Sequence, residues 1–211
     1  VKETDFRLYK SNTIIRRIRK RMIELGIHSL SKYAELVEKK KVEAEAIFNN
    51  ILIGVTSFNR NSEAFQEFKS ELKDIMLEKS NNEELRIWVP GCSTGEEAYF
   101  IGFLIEDQLR EQNLTLRYQI FATDIDDRAI SIARKGIFSE DNIAPLTKTQ
   151  VRHYFSVEKD EYQVKKTIRS NILFTQHDLL KNPPFLKLDI ISCRNLLIYF
   201  DNDLQKTLIP L

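Results

Sequence analysis

The chain has 211 residues, of which 30% are charged, and its formal net charge at pH 7 is +1. That length allows one or two domains with a sizeable core, while the charge balance excludes a general electrostatic attraction to nucleic acid or membrane surfaces. Its apolar runs are shorter than the roughly 20 residues of a membrane-spanning helix, and Cys92 and Cys193 lack the spacing of a metal or redox pair. We therefore expect a reduced, cytoplasmic protein without a membrane span or a metal.

Residues 1–78 are predicted to form an all-helical domain. In the segment SNTIIRRIRKRMIEL the apolar residues recur at helical spacing, and Ser11 or Asn12 is the expected N-cap. A later helix, within NSEAFQEFKSELKDIMLEK, has Asn61 or Ser62 as its expected cap. Two more helices are expected between them, in SLSKYAELVEKK and VEAEAIFNNILIGV.

The first of these helices carries a run of basic side chains between Arg16 and Arg21. Such a run is typical of a solvated helix face beside an apolar one, and the sequence alone favours that interpretation. The alternative is a docking surface for an acidic partner helix. RNA binding is less favoured, because no aromatic side chains interleave the basic ones and the net charge is near zero.

Residues 79–211 show a different pattern, in which strands alternate with helices. The strands are predicted at 85–89, 117–124, 171–176 and 188–193. This alternation predicts an α/β fold with a parallel sheet and helices on both of its faces. In such sheets a ligand binds at the carboxyl ends of the strands, so the residues that follow each strand are the candidates for a site.

A glycine-rich loop that ends in two adjacent acids follows the first strand. Gly91 and Gly95 let a ligand approach the backbone, and the next helix begins there, where negative charge is favoured. The loop lacks the lysine of a phosphate-binding P-loop, and Glu96 and Glu97 would repel a phosphate. A cationic ligand fits better, although the two glutamates could simply complement the helix dipole.

Polar residues also follow the later strands. Asp124 ends the second strand, where an acid typically bonds ribose hydroxyls, and Asp126 is better placed to cap the next helix. Asp178 and Asn195 follow the third and fourth strands, whereas a lone histidine such as His177 is more often a packed or solvated residue. Together, the small loop, the ribose acid and the extra carboxylate favour a positively charged nucleoside such as S-adenosylmethionine.

Several motifs resemble those of the CheR-type chemotaxis receptor glutamate O-methyltransferases. The loop GCSTGEEAY is similar to that family's GCSTGEEPYS, and FATDIDDRAISIARKGIF and SCRNLLIYFD are similar to its ATDID and CRNxxIYFD stretches. In the N-terminal half, YKSNTIIRRIRKRMIELGI and NNILIGVTSFNR resemble its helical domain and its NxTxFFR stretch. The resemblance covers nearly the whole chain, in the family's order.

This resemblance implies an all-helical CheR domain at 1–78, followed by a Rossmann-like, S-adenosylmethionine-dependent methyltransferase domain at 79–211. It also implies a small β-hairpin insertion near 156–174. The family sequence normally continues past LIPL with further strands, so the resemblance implies a sheet truncated at its C-terminal strands. An unpaired sheet edge would result.

The resemblance further implies methyl transfer from S-adenosylmethionine to glutamates in the acidic helical methylation region of a chemoreceptor, docked by the basic run 16–21. No catalytic base is implied, because a glutamate side chain, with its ordinary pKa of about 4.3, is already ionised at neutral pH. The implied cofactor-binding residues are Gly54, Thr56, Arg60, Gly91, Glu96, Asp124, Asp178, Leu179, Arg194 and Asn195. Arg60 could instead contact the substrate carboxylate.

The chain also departs from the family pattern. Gly54 and Asp178 stand where the family usually has asparagine, and Asn59 replaces an aromatic residue. These departures keep a second hypothesis open, in which a nonenzymatic module of a larger signalling protein senses the cofactor or docks helices. A nucleotide-dependent dehydrogenase is disfavoured, because the loop is not GxGxxG and its glutamates oppose a pyrophosphate.

Overall fold

The computed structural model describes residues 4, 6–52, 54–79 and 83–208. The helices are α1 (Ser11–Glu24), α2 (Leu30–Lys39), α3 (Lys41–Ile51), α4 (Ser62–Glu78), α5 (Glu96–Glu111), α6 (Asp127–Lys135), α7 (Glu140–Ile143), α8 (Lys148–Tyr154), α9 (Lys166–Arg169) and α10 (Asn202–Leu208). The strands are β1 (Glu84–Pro90), β2 (Arg117–Asp124), β3 (Ile137–Phe138), β4 (Phe155–Glu158), β5 (Glu161–Val164), β6 (Ile172–Gln176) and β7 (Ile190–Ile191). Among the described helices, none combines the length and apolarity needed to cross a bilayer.

The chain divides into two compact units. The first comprises Val1–Ile53 and Arg194–Leu211, and the second comprises Gly54–Cys193. This division differs from the domain boundary predicted between residues 78 and 79, because α4 packs into the core of the second unit. Phe65 of α4 meets Phe100 of α5 edge to face with ring centroids 4.6 Å apart. The domain boundary between residues 78 and 79 stays a prediction.

A buried charged cluster joins α1, α2 and α3 in the first unit. Glu43 accepts hydrogen bonds from Nε and Nη2 of Arg21, at 2.9 and 2.8 Å, and from the hydroxyl of Tyr33 at 2.9 Å. The bonds from Arg21 are the main reason that the pKa of Glu43 is lowered. One member of the basic run, Arg21, is therefore half-buried and paired with a buried acid, which the sequence pattern did not predict.

The second unit contains a parallel sheet in the order β6-β2-β1-β7, which confirms the predicted α/β class. Strand β2 has the predicted bounds, but β7 is much shorter than the predicted strand at 188–193. Only Ile190 and Ile191 pair regularly with β1, although the backbone N–H groups of Asp189 and Ser192 still donate to β1 carbonyls.

One face of the parallel sheet is less covered than predicted. Side chains on the inner face, such as Ile87 and Ile120, are fully buried. On the other face Leu173 is 48% exposed and Ile191 is 50% exposed. The expectation of helices covering both faces is therefore wrong at these positions of the described chain.

A small antiparallel sheet, ordered β3-β5-β4, also belongs to the second unit. The hairpin of β4 and β5, from Phe155 to Val164, overlaps the segment near 156–174 where an insertion was expected. Its two turn residues, Lys159 and Asp160, have φ angles of 46° and 66°. Two consecutive left-handed residues are the signature of a type I′ hairpin turn, which here forms without glycine.

Helix starts were predicted with mixed success. Asp126 caps α6 by accepting a hydrogen bond from the Arg128 N–H, as predicted. The cap predicted at Ser11 or Asn12 is wrong, because α1 begins at Ser11 and Lys10 occupies the cap position without a side-chain bond. The Lys10 N–H donates to the Tyr199 carbonyl, so contact with the distant C-terminal segment fixes where the helix starts.

Candidate cofactor site

The loop between β1 and α5 adopts an unusual backbone conformation. Gly91, Ser93 and Gly95 have φ angles of 69°, 50° and 97°. The Cys92 N–H donates to the Thr123 carbonyl at 2.9 Å, which holds the loop against the end of β2. The alternation of small residues in the sequence therefore reflects a tight turn at the carboxyl ends of two neighbouring strands.

Packing around position 95 explains why this residue is a glycine. A Cβ atom there would lie 3.0 Å from the Ala133 Cβ and 3.1 Å from the ring of Phe174. Helix α6 and strand β6 thus fill the space beside Gly95. Its missing side chain serves packing between elements, while a cofactor-related role for Gly91 stays a prediction.

Asp124 organises the loop through both carboxylate oxygens. Oδ2 accepts the Ser93 N–H at 2.8 Å and Oδ1 accepts the Asp126 N–H at 2.9 Å. Because Asp126 caps α6, Asp124 is left to hold the first loop in place. A carboxylate has about four acceptor positions, and the backbone N–H of Ile125 also interacts with Asp124, so the carboxylate has room for one further hydrogen bond. Burial raises its pKa.

The two adjacent glutamates have different surroundings. Glu96 is 3% exposed and accepts a hydrogen bond from the Thr94 hydroxyl at 2.6 Å. Glu97 accepts one from the Ser192 hydroxyl at 2.7 Å, just beyond β7. Burial raises the pKa of Glu96, because its charge has lost most of its hydration. A helix dipole alone does not require a buried acid, so Glu96 is the better candidate to meet a cation.

The segment before α4 lies beside this loop. The Ser93 hydroxyl donates to the Gly54 carbonyl at 3.3 Å, and a Cβ at position 54 would lie 3.2 Å from that hydroxyl oxygen. Phe58, 1% exposed, anchors the segment among other aromatic rings. Thr56 is half-buried, and Arg60 donates to the Val55 carbonyl at 2.7 Å.

Asn59, which departs from the family motif, has a conformational explanation. Its φ angle is 52°, in the left-handed region. Asparagine is several times more common there than most other residues, whereas a bulky side chain would be strained. The residue type at position 59 therefore follows from the backbone.

The remaining predicted residues follow β6 and β7. The N–H of His177 donates to the Asp124 carbonyl at 3.0 Å, which brings Asp178 to the same sheet edge. The Asp178 carboxylate accepts the Leu180 N–H at 2.9 Å, and Leu179 is half-buried. Arg194 and Asn195 belong to the first unit, so their assignment stays a prediction.

Sequence reasoning missed Ser93, Thr94 and Ser192, which bond the site acids. The first two stood within the small-residue loop, and their polarity was the available signal. Nothing in the sequence paired Ser192 with Glu97, 95 positions away. Among the described residues, no group of three or more histidines, cysteines and acids is arranged to hold a metal ion.

The carboxylates at this edge of the sheet suit a cationic nucleoside. The buried carboxylate of Glu96 attracts positive charge, and the carboxylate of Asp124, which accepts two backbone N–H groups, has room for a ribose hydroxyl. The Cys92 thiol lies close enough to Asp124, Glu96 and Glu97 to feel their charges, and burial together with these charges raises its pKa well above the ordinary value. Cys92 is therefore a neutral packing residue at neutral pH rather than a nucleophile.

Comparison with known proteins gives the same interpretation. Residues 54–210 match the family described as CheR methyltransferase, SAM binding domain, and residues 3–52 match its all-alpha domain. The chain is 31% identical to a chemotaxis protein methyltransferase of Borreliella burgdorferi, over 87% of this chain and 68% of that protein. It is 32% identical to one from Listeria monocytogenes, over 93% and 73%.

A larger relative is also similar. The chain is 35% identical to an uncharacterized 104.1 kDa protein in the hypE 3' region of Rhodobacter capsulatus, over 97% of this chain but only 22% of that protein. Given the matching helical and cofactor-binding parts, the chain belongs to the CheR methyltransferase family, and its cofactor is S-adenosylmethionine.

Proposed function

We propose that the protein transfers a methyl group from S-adenosylmethionine to glutamate side chains of chemoreceptor-like signalling proteins. The observation that carries this proposal is a pair of carboxylates at the carboxyl edge of the sheet: buried Glu96, at the start of α5, and half-buried Asp124, at the end of β2. Relatives named chemotaxis protein methyltransferase support the class of substrate. The expected cytoplasmic location stays a prediction.

The proposed cofactor site is built around the loop after β1. Asp124 accepts hydrogen bonds from the ribose hydroxyls, and Glu96 faces the cationic end of the cofactor. Asp178 and Leu179 lie at the adenine side of the same sheet edge. The full proposed set is Gly54, Thr56, Arg60, Gly91, Glu96, Asp124, Asp178 and Leu179, with Arg194 and Asn195 retained from the sequence.

Catalysis in this proposal rests on positioning. When bound, S-adenosylmethionine supplies an activated methyl group on its sulfonium. The chain's own task is to hold the incoming carboxylate in line with that methyl group and to exclude water. Such alignment contributes about 7–11 kcal/mol in favourable cases. No general base is needed, and Arg60 serves either the substrate carboxylate or that of the cofactor.

The proposal predicts a specific pH dependence for Glu96. Its carboxylate form attracts the ammonium group that S-adenosylmethionine and S-adenosylhomocysteine share, so affinity for S-adenosylhomocysteine falls as pH drops through the raised pKa of Glu96. We expect Glu96→Gln to weaken binding about tenfold at pH 7.5, as for one charge-assisted hydrogen bond. The variant should also lose part of the pH dependence, the remainder coming from Asp124, whose pKa is raised too. Isothermal titration between pH 5 and pH 8 measures both.

The cofactor-free protein should show the opposite trend in stability. Because the folded-state pKa of Glu96 lies above its unfolded value, its contribution to stability is greatest below the unfolded pKa and is lost as pH rises through the folded pKa.

The control is Glu97→Gln, which should keep the pH dependence of binding. An unchanged affinity and pH profile in Glu96→Gln would contradict the assignment.

The docking part of the proposal concerns one face of α1. Arg16, Arg19 and Lys20 line a shallow groove there, beside Ile15 and Ile23, which are 43% and 74% exposed. Exposed apolar side chains flanked by basic ones suit an amphipathic, acidic helix. This pattern favours docking over the solvated face that the sequence alone suggested.

Charge reversal on this face should therefore impair substrate binding. We expect the triple variant Arg16→Glu, Arg19→Glu and Lys20→Glu to raise KM for a receptor fragment at least about tenfold, since like charges would oppose the acidic helix. The kcat and the cofactor Kd should change little. The control reverses Lys32, Lys39 and Lys41, which are exposed elsewhere in the first unit. Equal effects in both variants would argue against a docking face.

A second candidate function is a nonenzymatic module that senses the cofactor or docks helices within a larger signalling protein. The large Rhodobacter capsulatus relative, of which the chain spans only 22%, favours it. Single-turnover assays with radiolabelled S-adenosylmethionine and receptor fragments separate the two functions. Label in base-labile methyl esters supports the enzyme, whereas cofactor binding without transfer supports the module.

A further inference from the structure

His177 links the cofactor edge of the sheet to the loop that follows β6. Its side chain is 9% exposed, and its Nε2 lies 3.1 Å from the Pro183 carbonyl oxygen. Because a carbonyl only accepts, Nε2 must carry the proton and donate. The ring is thus fixed at its Nε2 end by a hydrogen bond to the loop.

Aromatic contacts hold the rest of the ring. Trp88 of β1 meets it edge to face and Phe185 stacks on it, each with ring centroids 5.5 Å apart. Phe185 also stacks on Phe121 of β2, at 4.6 Å. His177 therefore lies between the sheet and the far end of the loop. Its hydrogen bond to Pro183 joins the two ends of the segment 177–183.

The loop inside this closure carries Asp178 and Leu179. Asn182 accepts the Asp178 N–H at 2.8 Å, and the Asp178 carbonyl accepts the N–H groups of Lys181 and Asn182. These bonds are all local, so they fix the shape of the loop but not its placement on the sheet. Contacts of His177 and Phe185 with β1 and β2 supply that placement.

We propose that His177 is a positioning residue, which fixes the 178–183 loop and thereby sets the affinity for the cofactor at Asp178 and Leu179. The affinity part rests on the proposed site. His177→Phe keeps an aromatic ring but removes the donor, whereas the Nε2 of glutamine can occupy the place of the histidine Nε2. The phenylalanine variant should therefore show the defect, and the glutamine variant should restore most of the function.

Hydrogen exchange and titration test the two parts separately. In His177→Phe, the amides of Leu180, Lys181 and Asn182 should exchange about fivefold faster, and S-adenosylhomocysteine should bind about fivefold more weakly, as for one lost hydrogen bond. His177→Gln should approach the parent in both. His153→Phe, on α8, is the matched control and should change neither.

The outcomes are distinguishable. Unchanged amide exchange in a folded His177→Phe protein would overturn the inference. Faster exchange with unchanged affinity would overturn the link to the cofactor and leave His177 a structural residue. If the parent protein failed to bind S-adenosylhomocysteine, the proposed site would fall, while the exchange rates would still decide whether His177 fixes the loop.

Discussion

Replacing Asp124 with asparagine is expected to weaken S-adenosylhomocysteine binding by about 100-fold, which corresponds to about 2.7 kcal/mol. The carboxylate already accepts two backbone N–H groups and is proposed to accept the ribose hydroxyls. Hydrogen bonds to a charged group contribute about 1.5–3 kcal/mol each. An asparagine would also turn a donor toward one of the backbone N–H groups. Isothermal titration at pH 7.5 gives the affinity.

The matched control for this prediction is Asp127→Asn. Asp127 is exposed in the first turn of α6, so its replacement removes the same charge three positions away without touching the loop. Its affinity for S-adenosylhomocysteine should stay within about twofold of the parent, as for a screened surface charge. A folded Asp124→Asn protein that bound like the parent would contradict the ribose assignment.

Replacing Glu43 with alanine is expected to lower the free energy of unfolding by about 2–4 kcal/mol. Arg21 and Tyr33 would lose their shared acceptor, and removing one partner of a largely buried ion pair is costly even though Arg21 keeps its 3.3 Å bond to Glu24. The value lies toward the low end because the Arg21 side chain is 24% exposed and can be partly hydrated. Urea unfolding followed by circular dichroism measures the loss.

The same cluster predicts how the first unit responds to acid. The folded-state pKa of Glu43 is lowered, first by its bonds from Arg21, so its stabilisation is present above the unfolded pKa and is lost as pH falls through the folded pKa. Glu43→Ala should therefore remove part of the acid sensitivity. The control is Glu45→Ala, exposed on the same helix, which should cost less than about 0.5 kcal/mol. Equal losses in both variants would mean that the buried cluster does not hold the helices together.

Local sequence patterns predicted those elements whose ends are determined locally. The bounds of β2 and the cap at Asp126 follow from an apolar run and an adjacent acid, and both are confirmed. Strand β7 was predicted too long because pairing with β1, not its own composition, decides where it ends. The start of α1 depends on Tyr199, which lies far away in the chain.

In the candidate site, too, the features determined locally were predicted and those determined by distant contacts were not. An acid after a strand is a local signal, so Asp124 and Glu96 were found from the sequence and the resemblance. Ser93 and Thr94, which bond these two acids, lie in the small-residue loop, where their polarity was a signal. The bond from Ser192 to Glu97 joins residues 95 positions apart and gave no signal. The inward position of Arg21 also depended on a partner, Glu43, on another helix, so the basic run appeared uniform in the sequence.

A crystal structure of the protein with saturating S-adenosylhomocysteine would locate the cofactor. We expect the nucleoside above the 91–96 loop, with ribose oxygens about 2.5–3.0 Å from the Asp124 carboxylate. Density elsewhere on the protein, or a loop occupied by the protein's own side chains at saturating ligand, would contradict it.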